Sequence, residues 1–390
     1  MLNILKIAIA APLHHYFDYL APTDFPLNQL KKGLRVLVPF GKQEKVGFLM
    51  ELSTTSERPL SQLRTAIAIL DKVPLLPDSI QRLLEWTSRY YHCPLGEVFA
   101  NALPNSLRVG KDFKNSLKKS PKIHAAKINS KKIVINTTTD GALAKIIQLN
   151  THQQQAIATI INSLGKFQAF LLNGVTGSGK TEVYLEAIQA VLDRGEQALV
   201  LVPEIGLTPQ MLERFQARFS VPLLLFHSRL TEKQRLEHWL LSKTGAASII
   251  IGTRSALFTP LLRPGIIIVD EEHDSSFKQQ NGLRYHARDL ALVRGRLENI
   301  PVILGSATAS LESVFNARQK RYQMLHLPER AGNALQPSFH FVDLRQQKLE
   351  QGFAPVLLQT MQKHLQNQGQ VLLFLNRRGF SPVTICHDCG

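Results

Sequence analysis

The stretch "FQAFLLNGVTGSGKTEVYLEAIQAVL", residues 167–192, decides the fold. It opens as a short, continuous apolar run. "GVTGSGKT" follows at Gly174–Thr181, and the remainder carries apolar residues at helical spacing. Strand, glycine-rich turn and helix in that order make a phosphate-binding loop. Gly174, Gly177 and Gly179, with Thr176 and Ser178 among them, let main-chain N–H groups close around phosphate oxygens, and the helix start adds its dipole. Lys180 is expected to neutralise the β/γ charge of ATP, and Thr181 to ligate Mg²⁺.

About 90 residues downstream, "GIIIVDEEHDSSFKQQNGLRYHARDLA" repeats the strand signal and ends it differently. Asp270, Glu271, Glu272 and His273 stand at the strand's carboxyl end, where α/β sheets bind ligands. Asp270 is expected to hold Mg²⁺ through water and Glu271 to polarise the attacking water. Surface acids or helix caps are the plain alternative. "QALVLVPE", "PLLLFHS", "ASIIIGT" and "PVILGSA" are further short apolar runs separated by helical segments. Together they predict a parallel sheet covered on both faces.

The rest of the chain sorts around this α/β region, which is placed at 146–332. Residues 1–105 read as a small β-rich domain, with strands in "GLRVLVPFG" and "KVGFLMEL" and a helix in "DSIQRLLEWTSRYYH". Residues 106–145 read as a basic linker: between 106 and 132, nine Lys and Arg face one acid, Asp112. Such a run is a solvated linker or a track along a phosphate backbone. A second α/β unit starts in 333–390 with "SFHFVDL" and "QVLLFLN". The chain has 46 Lys and Arg against 30 Asp and Glu, a net charge of +16, which points to a polyanion partner. Its three cysteines, 93, 386 and 389, give no disulfide framework, and Cys93 reads as a packed core thiol. The opening "MLNILKIAIAAPLHH" reads as a first strand, and the longest apolar region is cut by Arg254 and Arg263, so no membrane segment is expected. A soluble, cytoplasmic chain follows.

The motif series resembles superfamily 2 helicases and, more narrowly, the primosomal protein N′ (PriA) family of bacterial replication-restart helicases. "FDYL", "RVLVPFGKQEKVGF", "GVTGSGKTEVY", "VPEIGLTPQ", "IGTRSALF", "DEEHDSSFKQQNGLRYHARDLA", "GSATASLES", "LFLNRRGF" and "CHDCG" carry the resemblance. It implies a RecA-like helicase lobe at 146–332, the start of a second at 333–390, and a 3′-DNA-end-binding domain at 1–105. By the same resemblance Gln153 reads adenine, His273, Ser306, Ala307 and Thr308 couple hydrolysis to DNA, and Thr253 and Arg254 meet single-stranded DNA. Phe277 and Tyr285 stack on bases while Lys278, Arg284 and Arg288 meet phosphates. Phe17, Asp18 and Tyr19, with Gly41 and Arg64, hold a 3′ end. On residue type alone, "FDY" is a half-buried strand.

The resemblance implies an ATP-dependent 3′→5′ helicase that recognises stalled forks, works as a monomer near the nucleoid and engages single-strand-binding protein and primosome-loading proteins. The sequence departs from the family at three places. The winged helix is shortened or missing at 106–145. Cys386 and Cys389 are half of one site for Zn²⁺. The rest of the second lobe is absent, so the chain reads as a fragment with little turnover of its own. The alternative is a non-catalytic module that binds fork 3′ ends and nucleotide.

Overall fold

The largely apolar runs "RVLVPF" and "ILKIAI" make strands that pair edge to edge. The structure is a computed structural model that describes residues 4–23, 25–109, 149–330, 338–345, 349–350 and 352–374. The expected linker from 110 to 145, with any winged helix there, lies outside the described residues, as do Cys386 and Cys389. Strands β1 (Ile4–Ile9), β2 (Phe17–Leu20), β3 (Arg35–Phe40), β4 (Gln43–Ser53) and β5 (Ala68–Ile69) form an antiparallel sheet ordered β2-β1-β4-β3-β5. One face buries Leu5, Ile7, Tyr19, Val36, Val38 and Leu49 as a small core.

Three helices follow: α1 (Asp78–Tyr90), α2 (Leu95–Ala102) and the short α3 (Asn105–Arg108). Asp78 in the first turn of α1 and Arg89 in its last both complement the helix dipole. The apolar face of α1, Ile80, Leu83 and Leu84, joins a core shared with Leu199, Leu257 and Leu290 of the following region. Residues 1–109 and the α/β region therefore pack around one continuous apolar interior. Buried Arg35 pins α3 into this arrangement: its Nη2 lies 2.8 Å from Asp71 Oδ1, and its Nη1 donates to the Leu107 carbonyl at 2.6 Å.

The α/β region is a seven-stranded sheet of β6 (Ala169–Gly174), β7 (Gln197–Leu201), β8 (Leu223–Phe226), β9 (Ile249–Gly252), β10 (Pro264–Asp270), β11 (Val302–Ser306) and β12 (Gln323–Leu327). Every pairing is parallel, in the order β12-β6-β11-β10-β7-β9-β8. Helices α4 (Thr151–Ile161), α5 (Lys180–Asp193), α6 (Pro209–Arg218), α7 (Glu232–Lys243), α8 (Ala287–Glu298) and α9 (Leu311–Arg318) cover it. Leu171, Ile267 and Leu304 face one core, while their neighbours Phe170, Ile268 and Ile303 face another, so both faces are buried. The strand β12 escaped the sequence reading because "QMLHL" is an edge strand with polar residues between its apolar ones.

Residues 334–390 form a separate compact unit whose described part contains α10 (Pro355–Gln366). The expected strands in "SFHFVDL" and "QVLLFLN" are not found: residues 338–344 and 371–374 belong to no strand. An apolar run becomes a strand only when a neighbouring strand pairs with it, and neither run lies in a sheet among the described residues. No described helix is long and apolar enough to cross a membrane.

Candidate functional site

The phosphate loop is built by the end of β6 and the start of α5. Gly177 and Gly179 hold φ of +79° and +80°, a left-handed backbone that glycine adopts without cost. Lys180 Nζ donates to the Gly174 carbonyl at 3.1 Å and lies 4.0 Å from Glu271 Oε1. Thr181 is half-buried in the first turn of α5, and the buried Ser178 hydroxyl has no hydrogen-bond partner. Open glycines, a lysine bonded only to a carbonyl and an unpaired buried hydroxyl suit a polyphosphate with its cation. Gln153 is 2% exposed. Its Oε1 accepts from Asn150 N at 2.9 Å in a capping box, and its Nε2 donates to the Ser178 carbonyl at 2.9 Å. Both ends of the amide thus bond within the protein, and the residue ties α4 to the phosphate loop.

The acids at the end of β10 have three different fates. Asp270 Oδ1 accepts from the Tyr184 hydroxyl at 2.9 Å. Tyr184 stands one helical turn after Lys180, so one face of α5 serves both groups. Burial, then the neighbouring Glu271, push the Asp270 carboxyl above its ordinary range. Burial and Asp270 push the Tyr184 phenol well up. Gly305 lies opposite Asp270 in the sheet, and any Cβ there would overlap the Tyr184 hydroxyl. Glu271 has φ of +48°, a strained backbone for a non-glycine residue. The turn leaves Glu271 near Lys180 and sends Glu272 inward. Glu272 is 0% exposed and accepts from Arg288 Nη1 at 3.1 Å, Ser310 N at 2.7 Å, Ser310 Oγ at 3.0 Å and Ser313 Oγ at 2.9 Å.

His273 joins this acidic end to β11. Its Nδ1 is hydrogen-bonded to Ser306 Oγ at 2.7 Å and lies 3.7 Å from Glu271 Oε2, and its Nε2 lies 3.4 Å from Thr308 Oγ1. Thr308 N donates to Ser306 Oγ at 3.0 Å, which folds the chain back across Ala307. The structure thus brings together Lys180, Asp270, Glu271, His273, Ser306 and Thr308. Tyr184 and the Glu272 cluster were missed in the sequence. Helical spacing from Lys180 could have found Tyr184, whereas nothing in "DEEH" marks which acid turns inward.

The expected DNA contacts divide. Phe277 is 0% exposed and Tyr285 5%, and both pack in the main core. Arg288 is spent on Glu272 and Asp289. The expectations of base stacking by Phe277 and Tyr285, and of a phosphate contact by Arg288, are corrected by that burial. Lys278 sits 5.2 Å from the centre of the Tyr91 ring and donates to the Arg284 carbonyl at 2.6 Å, while Arg284 is exposed. Thr253 is buried, and Arg254 Nη1 donates to the Ser276 carbonyl at 2.9 Å.

At the N-terminus, Phe17, Asp18, Tyr19, Gly41 and Arg64 all line one cavity of about 680 Å³. Asp18 accepts from Ser56 Oγ at 2.6 Å, and Arg64 Nη1 donates to the Gly41 carbonyl at 3.2 Å. Strand alternation puts Phe17 and Tyr19 on the face away from Asp18. The Tyr19 ring is buried in the small core, and its hydroxyl donates to the Pro39 carbonyl at 2.9 Å. Tyr19 is therefore a wall rather than a stacking ring, a second correction of the same kind. The half-buried Phe17, with His15 at 4.7 Å and Phe40 at 5.2 Å between ring centres, supplies the aromatic surface.

Residues 6–104 match the family model of the PriA 3′DNA-binding domain, and residues 150–317 match that of the DEAD/DEAH box helicases. The replication restart protein PriA of Haemophilus influenzae is 40% identical over an alignment that covers 100% of this chain and 60% of that protein. The chain belongs to the PriA family. PriA of Rickettsia felis is 34% identical over 100% of this chain and 56% of that protein, and PriA of Bacillus subtilis is 40% identical over 63% and 31%. The chain thus spans no more than about 60% of the length of these PriA relatives, and it corresponds to their N-terminal part. Among the described residues, no group of three or more His, Cys, Asp or Glu could hold a metal ion.

Proposed function

We propose that this PriA-family chain binds ATP with Mg²⁺ at the phosphate loop and the 3′ end of a DNA strand at the N-terminal cavity. In this reading it is the larger part of an ATP-dependent 3′→5′ DNA helicase that recognises stalled or abandoned replication forks and starts primosome assembly. The observation that carries the reading is the approach of Lys180 to Glu271 at 4.0 Å, with His273 and Ser306 bridging the same acids to β11. The loop N–H groups and Lys180 would hold the β- and γ-phosphates. Thr181 and Asp270 would hold Mg²⁺, which when bound supplies charge neutralisation at the transferring phosphate. Glu271 orients water and takes its proton. His273 and Ser306 report the position of Glu271 to the loop ending at Thr308.

The domain reading is 1–105 for the end-binding domain, 106–145 for a linker or vestigial winged helix, 146–332 for the first helicase lobe and 333–390 for the start of a second. Zn²⁺ held in part by Cys386 and Cys389, single-strand-binding and primosome-loading proteins as partners, a monomeric state and a place at the nucleoid belong to the same proposal. They rest on family membership. The share of its relatives that the chain spans supports low turnover by the chain alone and keeps a second reading open, a non-catalytic module binding fork 3′ ends and nucleotide. ATPase measurements on forked DNA separate the two.

The nucleotide site is tested by Lys180→Ala, which is expected to abolish binding of a fluorescent ATP analogue; undiminished binding would sink the assignment. The end-binding cavity is tested by Asp18→Ala. The wild-type chain is expected to prefer a 3′-hydroxyl end over a 3′-phosphate end, and the variant to lose that preference. An unchanged preference removes Asp18 from the role.

A further inference from the structure

The ring of Tyr184 belongs to the core, and packing alone has no use for its hydroxyl. Tyr184 is 2% exposed and sits in the cluster that also holds Ile188, Ile268 and Ile303. A phenylalanine would fill the same space with no polar atom to satisfy. The fold nevertheless makes room for the oxygen. Gly305 lies inside the buried strand β11, where a residue without a side chain weakens the strand, and a Cβ there would overlap the Tyr184 hydroxyl. That hydroxyl donates to Asp270 Oδ1 at 2.9 Å, and among the described residues it is the one side-chain hydrogen bond that Asp270 receives. Asp270 and Gly305 are register partners in β10 and β11. Three elements, α5, β10 and β11, therefore meet at one phenolic oxygen.

The place of Tyr184 on its helix gives this contact its meaning. Lys180 starts α5, and Tyr184 follows one turn later on the same face. The helix that opens with the phosphate lysine thus also grips the acid assigned to Mg²⁺. A carboxylate swings about its Cβ–Cγ bond, and a donor fixed on one oxygen sets the direction in which the other is presented. We propose that Tyr184 is a positioning residue for the divalent cation: its hydroxyl fixes the rotation of Asp270 and, through it, the strength and selectivity with which the nucleotide site takes Mg²⁺. The inference rests on the reading of an ATP and Mg²⁺ site above, and it adds a residue outside both the phosphate loop and "DEEH". Selectivity follows from coordination chemistry. Mg²⁺ demands near-octahedral geometry and keeps its waters, so a carboxylate that reaches it through water must be well aimed, whereas Ca²⁺ accepts irregular shells.

The test is Tyr184→Phe in the whole chain, read with a fluorescent ATP analogue in EDTA, in rising Mg²⁺ and in rising Ca²⁺. The variant is expected to bind the analogue in EDTA as the wild-type chain does, which reports an intact phosphate loop. It is expected to need about 10-fold more Mg²⁺ for half-saturation, the lower end of what losing the partner of a metal-holding group costs. Its need for Ca²⁺ is expected to change less, so that the preference for Mg²⁺ narrows. In an Asp270→Ala background the same substitution is expected to leave the Mg²⁺ requirement where it was, because nothing remains for the hydroxyl to aim. A role in packing alone gives equal weakening with and without cation, or the same loss in Asp270→Ala; either result overturns the inference. A Mg²⁺ requirement in Tyr184→Phe equal to that of the wild-type chain overturns it too, and leaves the nucleotide site standing. A wild-type chain whose nucleotide binding ignores Mg²⁺ refutes the cation reading itself, and the inference falls with it.

Discussion

Asp270 is held in an environment that disfavours its charge, and this has a definite sign. The unfolded chain ionises this carboxyl near its ordinary value of 3.8, while burial raises the value in the folded chain. The folded state therefore loses stability relative to the unfolded one as pH rises above 3.8 and through the raised value. Asp270→Asn escapes that loss while its amide oxygen still accepts from Tyr184. The variant is expected to melt higher than wild type at pH 7.5 without divalent cations, by about 2–4 °C for each kcal/mol gained, and to show no advantage near pH 3.5. Equal melting temperatures at both pH values would count against the buried charge. Glu272 is the opposite case, a buried carboxylate whose every donor is supplied. Glu272→Ala takes from Arg288 its buried partner, leaving it the carboxylate of Asp289 alone, and removes the acceptor of the Ser310 and Ser313 donors; it is expected to cost about 3 kcal/mol or more in denaturant unfolding. "DEEH" showed that acids gather at a strand end. It could not show that one faces a lysine, one a tyrosine and one the interior, because the left-handed turn at Glu271 is set by contacts with β11 and α9.

At the scale of elements, α4 shows how a cap can serve a site. The capping box of Asn150 and Gln153 starts the helix, and the Gln153 amide then reaches Ser178 in the phosphate loop. Gln153→Ala is expected to lower stability by about 1 kcal/mol, the usual worth of a cap. It is also expected to weaken nucleotide binding through the loop, read by calorimetric titration. Normal affinity alongside lost stability would reduce the residue to a cap. The strands of the large sheet were legible because each is an unbroken apolar run between turn residues, and a doubly covered sheet demands that pattern. The runs in 338–344 and 371–374 look the same in sequence, yet pairing depends on a neighbour that a local pattern does not encode. The aromatic residues of the loop after β10 misled for a related reason. Phe277 and Tyr285 serve core and base stacking equally well by type, and the core had room for both.

Across the whole molecule, the N-terminal part is joined to the α/β region by more than a shared apolar core. Ser79 Oγ donates to Glu298 at 3.2 Å, and His286 N donates to the Tyr91 hydroxyl at 3.1 Å, so α1 grips both ends of α8. The two tryptophans fall on either side of this junction, Trp86 on α1 and Trp239 on α7. Unfolding followed by Trp86 alone, with Trp239→Phe, and by Trp239 alone, with Trp86→Phe, is expected to show both probes losing structure in a single shared transition once each variant's own stability is matched by circular dichroism. Two separate transitions would mean that the halves are independent. Length and composition suggested separate domains here, because shared packing leaves no mark on a linear sequence.

The order of the large sheet also bears on how the protein is made. The phosphate-loop strand β6 and the acidic strand β10 do not touch; β11 lies between them and pairs with both. It is synthesised after either. A nascent chain released only as far as residue 300 therefore holds all its phosphate-binding and acidic residues, but β6 lacks both its partners, β11 and β12, and the lane between β6 and β10 is empty. The nucleotide site comes into being when five residues, Val302–Ser306, slide into that lane. Until then the growing polypeptide carries its most aggregation-prone surfaces at the place where ATP will later sit.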